Sequence, residues 1–206
     1  MSASLNRNVG TALLTRRLIS NLLVFLCCAA AAAPSQELRL QFDPSKTTIA
    51  FTLGDILHTV HGSFQLRSGD VDYKVATKSV SGSLIVDATS GQSGNHSRDR
   101  KMHKEILESN RYPVISFRAD RVEGNVASIG SSNVQVHGIF SIHGSDHELT
   151  MPVRVDVFPD HWTADTHFTI PYVKWGIKNP STFVLRVSES VEIDVHASGA
   201  NPGIAH

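Results

Sequence analysis

The side chains that could do chemistry in this 206-residue chain are its eleven histidines, two cysteines and scattered serines and carboxylates. Imidazole is the commonest metal ligand, and His58-x-x-His61, the pair His143 and His147, and His103 are the sets worth weighing. Ligand sets on strands use i, i+2 spacing or an adjoining carboxylate, because alternate residues share a face. None of these pairs has that form, so they are read as surface or turn histidines. Asp99 and His103 lie one helical turn apart, which could make a proton relay but more often makes a solvent-side ion pair. No G-x-S-x-G occurs to name a nucleophile. Asn95-His96-Ser97 matches a glycosylation acceptor, a triplet common by chance. The sequence therefore assigns no catalytic residue, no metal and no cofactor.

Both cysteines, Cys27 and Cys28, fall in an N-terminal stretch unlike the rest. Residues 1–33 carry Arg7, Arg16 and Arg17 and no acid, then a continuous apolar run over 22–33 that ends in alanines before Pro34. This layout is that of a secretory signal peptide, too short to span a bilayer, with cleavage expected near Ala33. Arg16-Arg17-Leu18-Ile19 partly matches a twin-arginine signal. Taking away three arginines leaves 16 basic side chains against 19 acidic ones. The remaining chain, mildly acidic and free of cysteine, cannot use disulfides or thiolates and has no electrostatic attraction to nucleic acid. A periplasmic or secreted location follows from the leader.

What must position any site is a series of strands. From about Lys46 onward, apolar side chains alternate with polar ones. Ile49, Phe51 and Leu53 share a face, as do Val60, Phe64 and Leu66; Val80, Leu84 and Val86; Ile115 and Phe117; and Val134, Val136, Phe140 and Ile142. Met151, Val153, Val155 and Val157 follow, then Trp162, Ala164, Thr166, Phe168 and Ile170, then Val191, Ile193 and Val195. The opposite faces carry Arg67, Asp87, Arg118, His137, Arg154, Asp165 and Asp194. Roughly eight alternating strands predict an all-β, antiparallel sheet that closes into a barrel, with a two-sheet sandwich as the competing architecture.

One stretch departs from alternation. Over 95–109, Met102, Ile106 and Leu107 fall at near-helical spacing among charged residues, which predicts a short amphipathic helix capped by Asn95 or Ser97 and ended by Tyr112-Pro113. Residues 197–206 lack periodicity and are expected to be a disordered tail, leaving one domain over 34–196. Phe51, Phe64, Phe117, Phe140 and Phe168 all fall on apolar faces. Periodicity alone favours their meeting in an ordinary packed core over their lining a ligand cavity.

The order of short motifs adds to this. An F-D-P at 42–44, Val60-His61-Gly62-Ser63-Phe64, a helix opening Arg98-Asp99, the strand Tyr112-Pro113-Val114-Ile115-Ser116-Phe117, Val136-His137-Gly138-Ile139-Phe140, Met151-Pro152-Val153 and Trp175-Gly176 together resemble the YceI-like family. Gly54-Asp55-Ile56-Leu57-His58 departs from that family's pattern, being one residue shorter where a histidine is common. The resemblance implies an extended lipocalin-like barrel without enzymatic activity, whose interior holds a polyisoprenoid or other amphiphilic lipid. The lumen residues it implies are Phe51, Phe64, Phe117, Phe140, Phe168, Ile170 and Trp175. A non-enzymatic stress-response or interaction barrel with a filled core is the alternative, and a transient membrane contact and a homodimer are left open.

Overall fold

Alternation closes into a barrel here because eight of the strands each find an antiparallel neighbour on both sides. A computed structural model describes residues 37–54, 59–182 and 186–200. The expected leader, the departing stretch 55–58 with His58, and residues 201–206 lie outside them. The strands are β1 (Glu37–Gln41), β2 (Thr48–Gly54), β3 (Thr59–Lys74), β4 (Ser79–Gln92), β5 (Val114–Glu123), β6 (Gly130–Ile142), β7 (Ser145–Val157), β8 (His161–Ile170) and β9 (Val191–Ala200). Pairing runs β2-β9-β8-β7-β6-β5-β4-β3, and β3 returns to β2, so eight strands form a closed antiparallel barrel. Closure removes the sandwich alternative.

Two expectations change at the ends of the chain's strand series. β1 precedes the alternating region and pairs with the far half of β3, Leu38 opposite Tyr73 and Leu40 opposite Val71. It continues the track of β2 after a 3-10 turn, Pro44–Lys46, where Asp43 Oδ1 accepts from the Ser45 N–H at 2.9 Å and from its hydroxyl at 2.7 Å. The preceding Phe42 meets Trp162 edge-on at 4.7 Å, which accounts for the F-D-P motif as a corner. At the other end, β9 runs through Ala200, four residues into the expected tail. Small residues hide this strand from periodicity, yet Ala197 is buried opposite Ala164 and Gly199 lies opposite Trp162.

Long strands set the barrel's height. The thirteen-residue β6 and β7 span roughly 40 Å at about 3.3 Å per residue. Bulges adjust which parity points inward. Register shifts in β3 against β4 pass the inward face from Val60, Phe64 and Leu66 to Val71 and Tyr73. A shift between Ala119 and Arg121 likewise passes it from Phe117 and Ala119 to Val122.

The β3–β4 seam is held by a polar clasp on the outside. Asp87 Oδ1 accepts from the Thr89 hydroxyl at 2.6 Å and its N–H at 2.8 Å, while Arg67 Nη2 sits 3.0 Å from Oδ2. The Thr89 hydroxyl first, then Arg67 and the Thr89 amide, hold the Asp87 pKa down from 3.8 to about 2. A carboxylate lowered on folding stabilises the native state above its unfolded pKa, and that contribution disappears as pH falls from near 4 towards 2. Urea midpoints measured across that window are expected to fall less steeply for Asp87→Asn than for the parent. Identical slopes would assign the clasp no role in acid stability.

Candidate functional site

Inward-facing side chains gather into a buried cluster at each end of this barrel. One buried cluster joins Leu38, Leu40, Tyr73, Val122, Val157 and Trp162; a second, at the opposite end, joins Ile115, Phe140, Ile142, Ile170, Tyr172 and Ile177. Between them Phe117, Val136, Val153, Ala164, Phe168, Ile193 and Val195 point inward yet are only half-buried. The surface they expose belongs to an internal cavity of about 650 Å³. That volume lies within the roughly 300–1,000 Å³ of small-molecule pockets. A filled interior, the alternative expectation, is thereby overturned: the inward side chains stand apart around this space.

Glycines keep the wall thin where phenylalanines lie against it. Gly62 and Gly138 occupy equivalent places in the two V-H-G-x-F stretches, both on inward faces. Phe51 lies over Gly62, its cross-strand partner, and the Phe117 ring lies over Gly138. A Cβ on Gly138 would stand 2.8 Å from Phe117 Cζ and closer still to the Arg118 carbonyl oxygen. Because backbone cannot move aside cheaply, Gly138→Ala is expected to cost about 1–3 kcal/mol, seen as a lower urea midpoint. An unchanged midpoint would mean the strand shifts freely there.

Of the residues expected in the lumen, Phe51, Phe64, Phe117, Phe140, Phe168 and Ile170 line this cavity. Trp175 is placed elsewhere. Its ring stacks on His147 at 4.2 Å and 3° and lies 5.8 Å from Phe140, behind the cavity wall at the barrel end. Tyr172 lines the cavity and donates its hydroxyl to the Ser188 carbonyl at 2.6 Å. Burial, with Glu189 second, pushes its pKa up to about 12, so the phenol remains a donor.

The helix lies over the end that holds Ile115 and Tyr172. Asn95 caps α1 (His96–Lys101), its Oδ1 accepting from the Ser97 and Arg98 amides, and a π-helical turn, Met102–Ile106, continues it. Met102, Ile106 and Leu107 face the cavity as their spacing predicted. Sequence reasoning missed their neighbours: Ser93, Ser97, Arg98 and Lys101 line it too. Arg98 and Met102 are four residues apart, which puts them on one helix face, so the signal was present but was read as a solvent-side charge run.

The histidines fall into structural roles. His103 donates from or accepts at Nδ1 with the Ser109 hydroxyl at 2.9 Å, and its Nε2 meets the Gly91 carbonyl at 2.8 Å, pinning the helix to β4. Asp99 instead accepts from the Ser93 amide at 2.8 Å and from its hydroxyl. The two are engaged separately, which corrects the expected ion pair and leaves the relay without its link. On the outer face, His167 pairs with Asp194 at 2.8 Å and His196 with Asp165 at 2.7 Å across β8 and β9, and His61 meets Thr52 at 3.1 Å. Among the described residues no group of three or more His, Cys, Asp or Glu is arranged to hold a metal ion, and no helix is long and apolar enough to cross a membrane.

Comparison with known proteins follows this geometry. Residues 40–198 match the family model of the YceI-like domain. Among solved structures, BcnA of Burkholderia cenocepacia is similar with a TM-score of 0.64 at 17% identity, over 77% of this chain and 99% of that one. A polyisoprenoid binding domain from Saccharophagus degradans, implicated in plant cell wall breakdown, has a TM-score of 0.60 at 14% identity, over 79% and 98%. The YCEI protein of Campylobacter jejuni has a TM-score of 0.60 at 13% identity, over 70% and 86%. No curated protein matches the sequence.

Proposed function

Because this chain belongs to the YceI-like family, we propose that it is an exported binding protein that holds an isoprenoid or other amphiphilic lipid inside its barrel. The observation that carries this reading is the apolar cavity inside the barrel. At about 30 Å³ per water-sized group, it has room for roughly twenty such groups in a continuous space. Each methylene moved there from water gains about 0.8 kcal/mol, so a hydrocarbon chain binds without any charged anchor. The Saccharophagus degradans domain with the same fold is named for polyisoprenoid binding, which supports the same ligand class here.

In this reading Phe51, Phe64, Phe117, Phe140, Phe168 and Ile170 touch the chain directly, and Trp175 braces the wall behind Phe140. The arginine-bearing apolar leader over 1–33 supports delivery to the periplasm or beyond. No side chain is assigned a catalytic step; binding is by dispersion and desolvation. The test is solvent extraction of the purified protein followed by mass spectrometry. A co-purifying isoprenoid or fatty lipid is expected. Repeated absence of lipid together with no uptake of added polyprenol would end the proposal.

A further inference from the structure

Outside the stretch 93–101, the hydrogen-bonding side chains of the cavity wall are Tyr73, Trp162, Thr166 and Tyr172. Two of these are spent on the protein itself. Thr166 donates its hydroxyl to the Pro152 carbonyl, and Tyr172 donates to the Ser188 carbonyl, each at 2.6 Å. Trp162 has an unpartnered Nε1, but that atom is enclosed by packed neighbours and lies out of a ligand's reach. Tyr73 remains. It is only 3% exposed, it lines the cavity in the cluster away from the helix, and among the described residues its hydroxyl has no hydrogen-bond partner.

The surroundings of Tyr73 offer its hydroxyl little. Leu38 on β1 and Val80 on β4 stand opposite it, both buried, and the backbone on both sides is committed to the ladder. A phenol that gives up water on folding and gains no acceptor costs free energy, and a ligand oxygen placed beside it restores the bond. Such a group discriminates more sharply than hydrocarbon does, because the wrong ligand leaves the donor unpaired. The cavity also lines the exposed Ser97 and Arg98, at the helix end, so a chain threaded from there meets Tyr73 with its leading end.

Resting on the carrier reading above, we propose that Tyr73 determines specificity at the far end of the barrel, selecting amphiphiles whose leading end carries an oxygen that accepts a hydrogen bond. A ketone, ester or hydroxyl at that end is favoured over plain hydrocarbon. The same oxygen at mid-chain gains nothing, since the Thr166 proton there is already engaged.

The experiment is displacement of an apolar fluorescent probe from delipidated protein by three long-chain carboxylates of equal length. One is unsubstituted, one has a ketone beside its last carbon, and one has the ketone at mid-chain. An ionised carboxylate is too costly to bury unpaired, so the other end leads into the barrel. The end-ketone chain is expected to bind about tenfold tighter than its mid-chain isomer, because both lose the same hydration and only one meets Tyr73. Tyr73→Phe keeps the ring and removes the donor. It is expected to bring the two isomers to equal affinity and to leave the unsubstituted chain bound as in the parent, which also reports that the variant is folded. Equal binding of the isomers by the parent protein, as when a trapped water already serves the hydroxyl, overturns the subsite alone and needs no variant. A preference that survives in Tyr73→Phe overturns it too. If none of the three displaces the probe, the barrel does not take an amphiphilic chain, and the carrier reading fails with the subsite.

Discussion

Ala164→Trp is expected to cut the affinity for a long prenyl chain by about a hundredfold while leaving the fold intact. Ala164 faces the cavity from the middle of β8, opposite Val155 on one side and Ala197 on the other. Because its side chain lines the cavity, an indole placed there takes up space that a ligand would otherwise fill. If it excludes three or four methylenes, at about 0.8 kcal/mol each, the loss is roughly 3 kcal/mol, or two decades in Kd. Probe displacement by a polyprenol measures the effect, and a circular dichroism melt at or above the parent's confirms the fold. Full affinity in a folded variant would place the ligand somewhere other than the barrel interior.

Trp162→Ala should produce the largest loss of stability, about 3–5 kcal/mol. Trp162 is fully buried, at 0% exposure, in the cluster that closes the barrel end away from the helix. It meets Phe42 edge-on, and a Cβ on Gly199 would stand 2.8 Å from its Nε1, so the ring is gripped on several sides. Removing it leaves a void between β1 and β8 that backbone hydrogen bonds on both sides prevent from collapsing. Its indole Nε1 has no hydrogen-bond partner among the described residues, and such a buried donor carries a desolvation penalty. Trp162→Phe is therefore expected to cost distinctly less than Trp162→Ala, because it deletes that donor and keeps most of the packing. Equal urea midpoints for the two variants would contradict this account of the floor.

Much of the architecture could be read from alternation. Inward and outward faces from Ile49 to Val195 were assigned residue by residue, because a strand's period of two leaves a polar side chain nowhere to go but outward when the other face is apolar. The exceptions have physical causes. Val71 and Tyr73 face inward with the parity opposite to Phe64 because a bulge lies between them, and bulges are made by backbone pairing that side-chain pattern does not encode. β1 was missed because Leu38 and Leu40 make too short a run to read as a strand unless Tyr73 and Val71 are there to pair with it. The end of β9 was missed because alanine, serine and glycine carry no hydrophobic period.

The candidate site was legible in one half only. Strand parity put five phenylalanines on apolar faces and the family resemblance implied a lumen for them; the structure places these five and Ile170 on the cavity wall. Trp175 was out of reach because it lies in a loop, where no period predicts direction. The polar part of the wall was present in the text of the helix, where Arg98 stands four residues before Met102, but among Arg100 and Lys104 it was read as one solvent-side charge run.

The residue order alone, then, determined an all-β chain with an apolar face on nearly every strand, because burial of alternate side chains is a local consequence of the pleat. Whether those faces met or stood apart was decided only in three dimensions. Strand number, bulges and the glycines beneath Phe51 and Phe117 set the bore of a closed barrel, and bore is a property of all eight strands at once.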